Sequence, residues 1–186
     1  QILKMLNTLM DISEAETGAM KLDLKVFDLT TIIEETVEVY RYLAEEKNLT
    51  IQRTVTSNLC LKADPHRVRQ AIGNLLDNAI KYTPVGGKVD LNAHVDGMDT
   101  IITVKDTGIG IPPEDLPRIW DRLFRGDQSR SSRGLGLGLS LVKAVIEAHG
   151  GKIEAMSESG RGSIFAICLP SYKNGKLEQI LLKEGR

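Results

Sequence analysis

Between Ile32 and Leu169 the apolar residues change their spacing repeatedly, from every second position to every third or fourth and back. A period of two belongs to a half-buried strand and a period near 3.6 to a helix, so a chain carrying both must bury a sheet against helices. Ile33, Val37, Tyr40 and Ala44 predict a helix over about 30–47. Leu49 to Val55 and Leu59 to Ala63 read as strands around a turn at Ser57-Asn58. Asp64-Pro65 is a helix start, Asp as the cap and Pro in the first turn. That helix runs to about Tyr82, before Pro84 and Gly86-Gly87. Lys88 to Val95 and Thr100 to Lys105 predict a hairpin through Asp96-Gly97. A short helix around 117–123 and a longer one from Leu135 to His149 follow, then strands Lys152 to Ser157 and Ser163 to Leu169 turning at Gly160. The strands look mostly antiparallel, without the strict βαβα alternation of a doubly wound sheet. The predicted class is α+β, a two-layer α/β sandwich whose mixed sheet carries helices on one face.

Residues 1–20 predict a helix ahead of this domain, with Ile2, Met5, Leu9 and Ile12 on one stripe and Leu3, Leu6 and Met10 widening it. Two readings stay open: a helix packed on its own domain, or one member of a bundle whose other helices lie elsewhere. The pattern is already running at Ile2 with no capping residue, which predicts that the helix continues upstream of Gln1. The expected division is helix 1–20, folded domain 21–170 and a polar tail 171–186.

Composition excludes some functions. With 24 basic and 25 acidic residues there is no cationic excess to track a nucleic-acid backbone. No apolar run approaches the ~18 residues that span a bilayer, so the chain is expected to be soluble. Cys60 and Cys168 sit singly in apolar stretches and predict buried thiols rather than a disulfide. Neither they nor the scattered histidines have metal-site spacing.

Four segments carry chemistry. On the helix after Asp64, Asn78, Lys81 and Tyr82 fall within about 80° of Asn74, while Val68, Ile72, Leu75, Leu76 and Ala79 cover the rest. Asn is a poor helix former, and two of them one turn apart ask for a use. Carboxamide oxygens suit a Mg²⁺ ion that also holds phosphates, and Lys81 is a point charge for phosphate. A solvated polar face is the plain alternative. The second segment, Asp106-Thr107-Gly108-Ile109-Gly110-Ile111-Pro112, follows an apolar strand; its Asp can accept from an exocyclic amine while a flat base lies on the isoleucines. The Asp-Thr-Gly of an aspartic protease is a rival reading, disfavoured by the helix content. The third, Gly134-Leu-Gly136-Leu137-Gly138-Leu139, runs into a helix N-terminus, an anion site. Its spacing is neither the dinucleotide fingerprint nor a P-loop. The fourth is the loop with Arg122, Arg125, Arg130 and Arg133, placed to close over phosphates as a lid.

In this order the segments resemble the histidine-kinase catalytic domain of the gyrase, Hsp90, histidine kinase and MutL superfamily. Asn74 to Thr83 looks like the N box, Asp106 to Pro112 like the G1 box, Trp120 to Arg125 like the F box and Gly134 to Leu139 like the G2 box. The likeness covers about 22–170, and helix 1–20 resembles the second helix of the dimerisation and phosphotransfer domain. It implies the Bergerat ATP-binding fold, with ATP or ADP and Mg²⁺ as ligands. Asn78, assisted by Asn74, would hold the metal; Lys81 and Tyr82 would meet phosphates or ribose; Asp106 would bind the adenine amine. Gly108, Gly110, Ile111, Gly136, Leu137 and Gly138 would shape the pocket, and Arg125 or Arg130 would reach the γ-phosphate. Leu135 stands where relatives often carry Thr, Leu123-Phe124 where two aromatics are common, and the lid is short.

The resemblance further implies a cytoplasmic domain of a dimeric, membrane-associated sensor kinase, passing phosphate from a His helix to a response regulator. The acceptor itself is not expected here: His66, His94 and His149 each lack the bundle-helix setting followed by an acidic residue. Superfamily ATPases resemble one another in a Glu at the position of Asn74, and an amide is no general base. The implied activity is therefore phosphoryl transfer to an imported imidazole, with a scaffold that only binds nucleotide, or an ATPase, as alternatives.

Overall fold

A computed structural model describes residues 2–126 and 135–172. Helix α1 (Ile2–Glu16) leads into β1 (Lys25–Asp28), α2 (Leu29–Glu46), β2 (Thr50–Val55), β3 (Cys60–Ala63) and α3 (Pro65–Tyr82). Then come β4 (Lys88–Asp96), β5 (Asp99–Asp106), a 3₁₀ turn Leu116–Arg118, α4 (Gly138–Ala148), β6 (Lys152–Glu158) and β7 (Gly162–Pro170). Five strands form one sheet in the order β2-β4-β5-β7-β6, parallel only between β2 and β4. Along β4, β5 and β7 buried residues alternate with less buried ones, so one face is covered and the other is not. Leu91 faces Val104 and Val104 faces Phe165 across the strands, while Ala93, Ile102 and Ile167 form the next row. α2, α3 and α4 lie on this face, burying Ile33, Ile72, Leu75, Leu76, Val142 and Ile146. This is the expected two-layer α+β sandwich.

Three local expectations are corrected. β2 and β3 do not pair across the Ser57-Asn58 turn: β2 runs parallel to β4, and β3 pairs with β1 in a separate two-stranded ladder. β1, on the connection between α1 and α2, supplies that second ladder, and Asn58 at φ 56° turns the chain out of the large sheet. The last long helix starts at Gly138 rather than Leu135, because Gly136 takes φ 69°, outside the helical range. Cys60 and Cys168 are unpaired and only partly buried, since strand alternation turns them away from the buried neighbours Leu59, Leu61, Ile167 and Leu169.

α3, the helix that carries most of the candidate site, is fixed at both ends. The Asp64 carboxylate accepts the backbone N–H groups of His66 and Arg67 at its start and of Asp23 from the preceding connection. His149 is structural: its Nε2 accepts the Asp64 N–H at 3.0 Å while Nδ1 donates to the Val145 carbonyl at 2.7 Å. At the other end the Lys47 ammonium donates to the carbonyls of Ile80, Lys81 and Thr83 at 2.7, 3.1 and 2.8 Å. A cation placed on the last carbonyls offsets the negative end of the helix.

Helix α1 packs on its own domain along one side. Ile12 is buried in the domain core, Arg67 of α3 clamps Asp11 with two hydrogen bonds of 2.8 and 2.9 Å, and Arg122 pairs with Glu16. Its other side, Ile2, Leu3, Leu6 and Met10, is left exposed.

Candidate functional site

The predicted stripe of α3 faces a cavity of about 800 Å³, within the range that small-molecule sites occupy. Asn74, Asn78, Lys81 and Tyr82 line it from α3; Asp106, Ile109, Gly110 and Ile111 from the end of β5 and its loop; Arg125, Gly136, Leu137 and Gly138 from the segment leading into α4. Segments more than sixty positions apart in the chain thus meet around one space. Met5 and Thr8 of α1 and Tyr40 of α2 also line it.

Asp106 is the chemical anomaly of the sheet. On β5 the side chains of Thr100, Ile102 and Val104 are buried on the helix-covered face, and Asp106 takes the next place in that alternation, opposite Val89. A carboxylate therefore stands where the pattern calls for an apolar group. Burial pushes its pKa above the ordinary 3.8, more strongly than the backbone N–H groups of Gly108 and Ser163 pull it down. The Gly108 N–H lies 2.8 Å from Oδ1. A side chain at Gly108 would meet that same oxygen at 2.6 Å and the Tyr82 carbonyl at 2.7 Å, so this glycine is required by close approach.

The loop after β5 is clasped by the β6–β7 turn. Gly160 N–H donates to the Ile109 carbonyl at 2.7 Å, and Ile111 N–H donates to the Ser157 hydroxyl at 2.8 Å. A Cβ on Gly110, which has φ 69°, would meet the Glu158 carbonyl at 2.0 Å; one on Gly162 would meet the Asp106 carbonyl at the same distance. Beyond the turn expected at Gly160, the β6–β7 connection forms a wall that no periodicity announces and brings Ser163 and Phe165 to the cavity. The available signal was the Gly160-Arg161-Gly162-Ser163 run itself, polar and glycine-rich between two apolar strands.

At the opposite end the N-box-like helix and the glycine run touch. Asn74 Nδ2 donates to the Gln70 carbonyl at 2.8 Å, and its Oδ1 lies 3.1 Å from where a Cβ of Gly138 would stand. The carboxamide thus presents oxygen, not nitrogen, toward the start of α4. That start has no side-chain cap, so its first amides remain available to an anion. The Lys81 ammonium lies over the Tyr82 ring, 4.7 Å from its centroid. The F-box-like segment is anchored by Trp120 edge-on to Phe165, by Arg118 over Phe124, and by Leu123 N–H donating to the Gly136 carbonyl at 2.9 Å. Asp77, which the sequence reading passed over, also lines the cavity one position before Asn78. Arg130, Arg133 and Gly134 lie outside the described residues.

Comparison with known proteins follows the same lines. The profile of histidine kinase-, DNA gyrase B-, and HSP90-like ATPases matches residues 63–173. The sensor-like histidine kinase SenX3 of Mycobacterium tuberculosis is 35% identical over 90% of this chain, which covers 41% of that protein. The sensor protein SrrB of Staphylococcus aureus is 32% identical over 90% of this chain and 29% of its own length. This chain therefore spans less than half of these relatives. Among solved structures, full-length ShkA in complex with AMPPNP superposes with a TM-score of 0.80 at 28% identity, over 92% of this chain and 36% of that one. The histidine kinase AdeS of Acinetobacter baumannii gives 0.73 at 26% identity, over 90% of this chain and 77% of that one.

Proposed function

Because this chain belongs to the histidine kinase-, DNA gyrase B-, and HSP90-like ATPase family, we propose that it is the catalytic module of a two-component sensor kinase, transferring the γ-phosphate of MgATP to a His on a separate helix. The observation that carries this reading is the convergence of the Asn74–Lys81 stripe, buried Asp106 and the uncapped start of α4 on one cavity. Asp106 accepts from the adenine amine, and Ile109 and Ile111 give the base an apolar wall. Lys81, Arg125 and the first amides of α4 meet the phosphates, with Arg130 as a further lid cation and Tyr82 beside the ribose or phosphates. The donor set suits Mg²⁺: Asn78, with Asn74, offers neutral oxygens and leaves coordination places for water and phosphate. Bound there, the ion supplies charge neutralisation.

Asn74 cannot take a proton from water, so water is a poor acceptor in this site. A neutral imidazole needs no such base, and the chain's task reduces to positioning and offsetting charge. Helix α1 would be the end of a dimerisation helix, its exposed Ile2, Leu3, Leu6 and Met10 meeting the rest of a bundle. A dimeric, membrane-associated whole protein that passes phosphate to a response regulator follows from the same reading, with this module on the cytoplasmic side. The test supplies γ-labelled ATP and a separately produced His-bearing helical dimer. Label on the His, lost in Lys81→Ala, is expected; nucleotide binding without transfer would favour a scaffold instead.

A further inference from the structure

The Ser157 hydroxyl has more contacts than a surface strand residue needs. It accepts the Ile111 N–H at 2.8 Å, donates to the Gly162 carbonyl at 2.8 Å, and lies 2.9 Å from the Ser163 hydroxyl. A serine hydroxyl has one proton and two lone pairs. A carbonyl can only accept, so the Ser157 proton is committed to Gly162. The contact between the two hydroxyls then runs one way: Ser163 donates and Ser157 accepts. With its proton turned to Ser157, Ser163 can offer the cavity only lone pairs. Ser163 lines that cavity and its backbone N–H also holds the Asp106 carboxylate, so the two residues meet at one end of it.

We propose that Ser157 is a positioning residue for base selection: by fixing the Ser163 proton it makes this end of the cavity an edge of acceptors only, matched to a base bearing an exocyclic amine and opposed to one bearing a carbonyl. The inference rests on the nucleotide-binding reading above and adds how that site tells a 6-aminopurine from a 6-oxopurine. An amine brings two N–H donors, one for Asp106 and one for Ser163. A 6-oxo group brings lone pairs against lone pairs, and an unmatched buried acceptor pair is penalised heavily. Through Ile111 the same hydroxyl also fixes the loop on which the base rests.

The test is calorimetric titration of the whole chain with ADP and with inosine diphosphate, in wild type, Ser157→Ala and Ser157→Thr, each checked for a cooperative melt. Removing the Ser157 hydroxyl frees the Ser163 proton to turn into the cavity. Ser157→Ala is expected to bind ADP about tenfold more weakly while inosine diphosphate binds as well as before or better, so the preference for ADP falls by at least about tenfold. Ser157→Thr keeps a hydroxyl and should retain the preference. Ser163→Ala, which removes the partner without touching Ile111, should also lower the ADP preference, and serves if Ser157→Ala does not fold. Equal losses for both nucleotides, or an unchanged ratio, would show a merely structural hydroxyl and overturn the proposal. Wild type binding neither nucleotide would overturn the underlying reading instead.

Discussion

Asp64 and Asp106 are both buried carboxylates, and their surroundings pull them in opposite directions. Burial raises the pKa of each. Asp64 accepts N–H groups from Asp23, His66 and Arg67, and these with nearby His149 bring it below the ordinary 3.8. Among the described residues Asp106 accepts the Gly108 and Ser163 amides, and burial keeps it above that value. One carboxylate is satisfied by its own fold; the other, in a cavity wall, keeps acceptor capacity that the described residues do not use. A buried charge left short of partners costs stability, so its persistence points to a ligand that completes it. The N-cap therefore belongs to folding, and we assign the end of β5 to the proposed function.

The largest expected effect breaks the functional side. Asp106→Asn should weaken ADP binding about 30-fold or more in calorimetry while melting cooperatively, since the Gly108 N–H keeps the amide oxygen and the group facing the adenine amine becomes an NH2 donor. Asp64→Ala should do the reverse. It loses about 2 kcal/mol of stability in denaturant titrations, because three backbone donors lose their acceptor, and leaves the ADP affinity of the folded protein within about twofold. A large affinity loss in Asp64→Ala would erase the distinction.

Titration separates the two without removing either. The folded pKa of Asp64 is lowered, so its contribution to stability is present above 3.8 and is lost as pH falls through the folded value. The folded pKa of Asp106 is raised, so its contribution grows as pH falls through the folded value and levels off below 3.8. As pH falls toward 3.8, stability should therefore lose an upward component in Asp106→Asn, and keep it in Asp64→Ala. ADP affinity should fall over the same acid range in wild type as Asp106 takes up its proton. The smallest effect puts a carboxylate in place of the Asn74 amide: Asn74→Glu should raise slow ATP hydrolysis several-fold, and no rise in a folded variant would argue that water is excluded for another reason.

What was legible in the sequence was local or periodic. The N-cap at Asp64, the polar stripe of α3 and the acid at the end of β5 were visible because helix and strand spacing fixes which side chains share a face. The four motifs in order carried the family, and residues from each of them line one cavity, although Gly108 does not. What escaped depends on contacts between distant segments. Lys47 caps α3 from 33 residues before Ile80 in the chain, and no local pattern announces it. The β1–β3 ladder was hidden because the turn at Ser57-Asn58 looked like a hairpin, and pairing partners are chosen by the whole sheet. Ser157 and Ser163 looked like ordinary polar strand residues until the β6–β7 turn was placed against the β5 loop.

The most direct test of the central claim is a calorimetric titration of this chain with ADP and ATP, with and without Mg²⁺, in wild type and Asn78→Ala. Saturable binding that Mg²⁺ strengthens in wild type, and that Mg²⁺ no longer strengthens in Asn78→Ala, is the predicted result. A folded wild-type chain that binds neither nucleotide would contradict it.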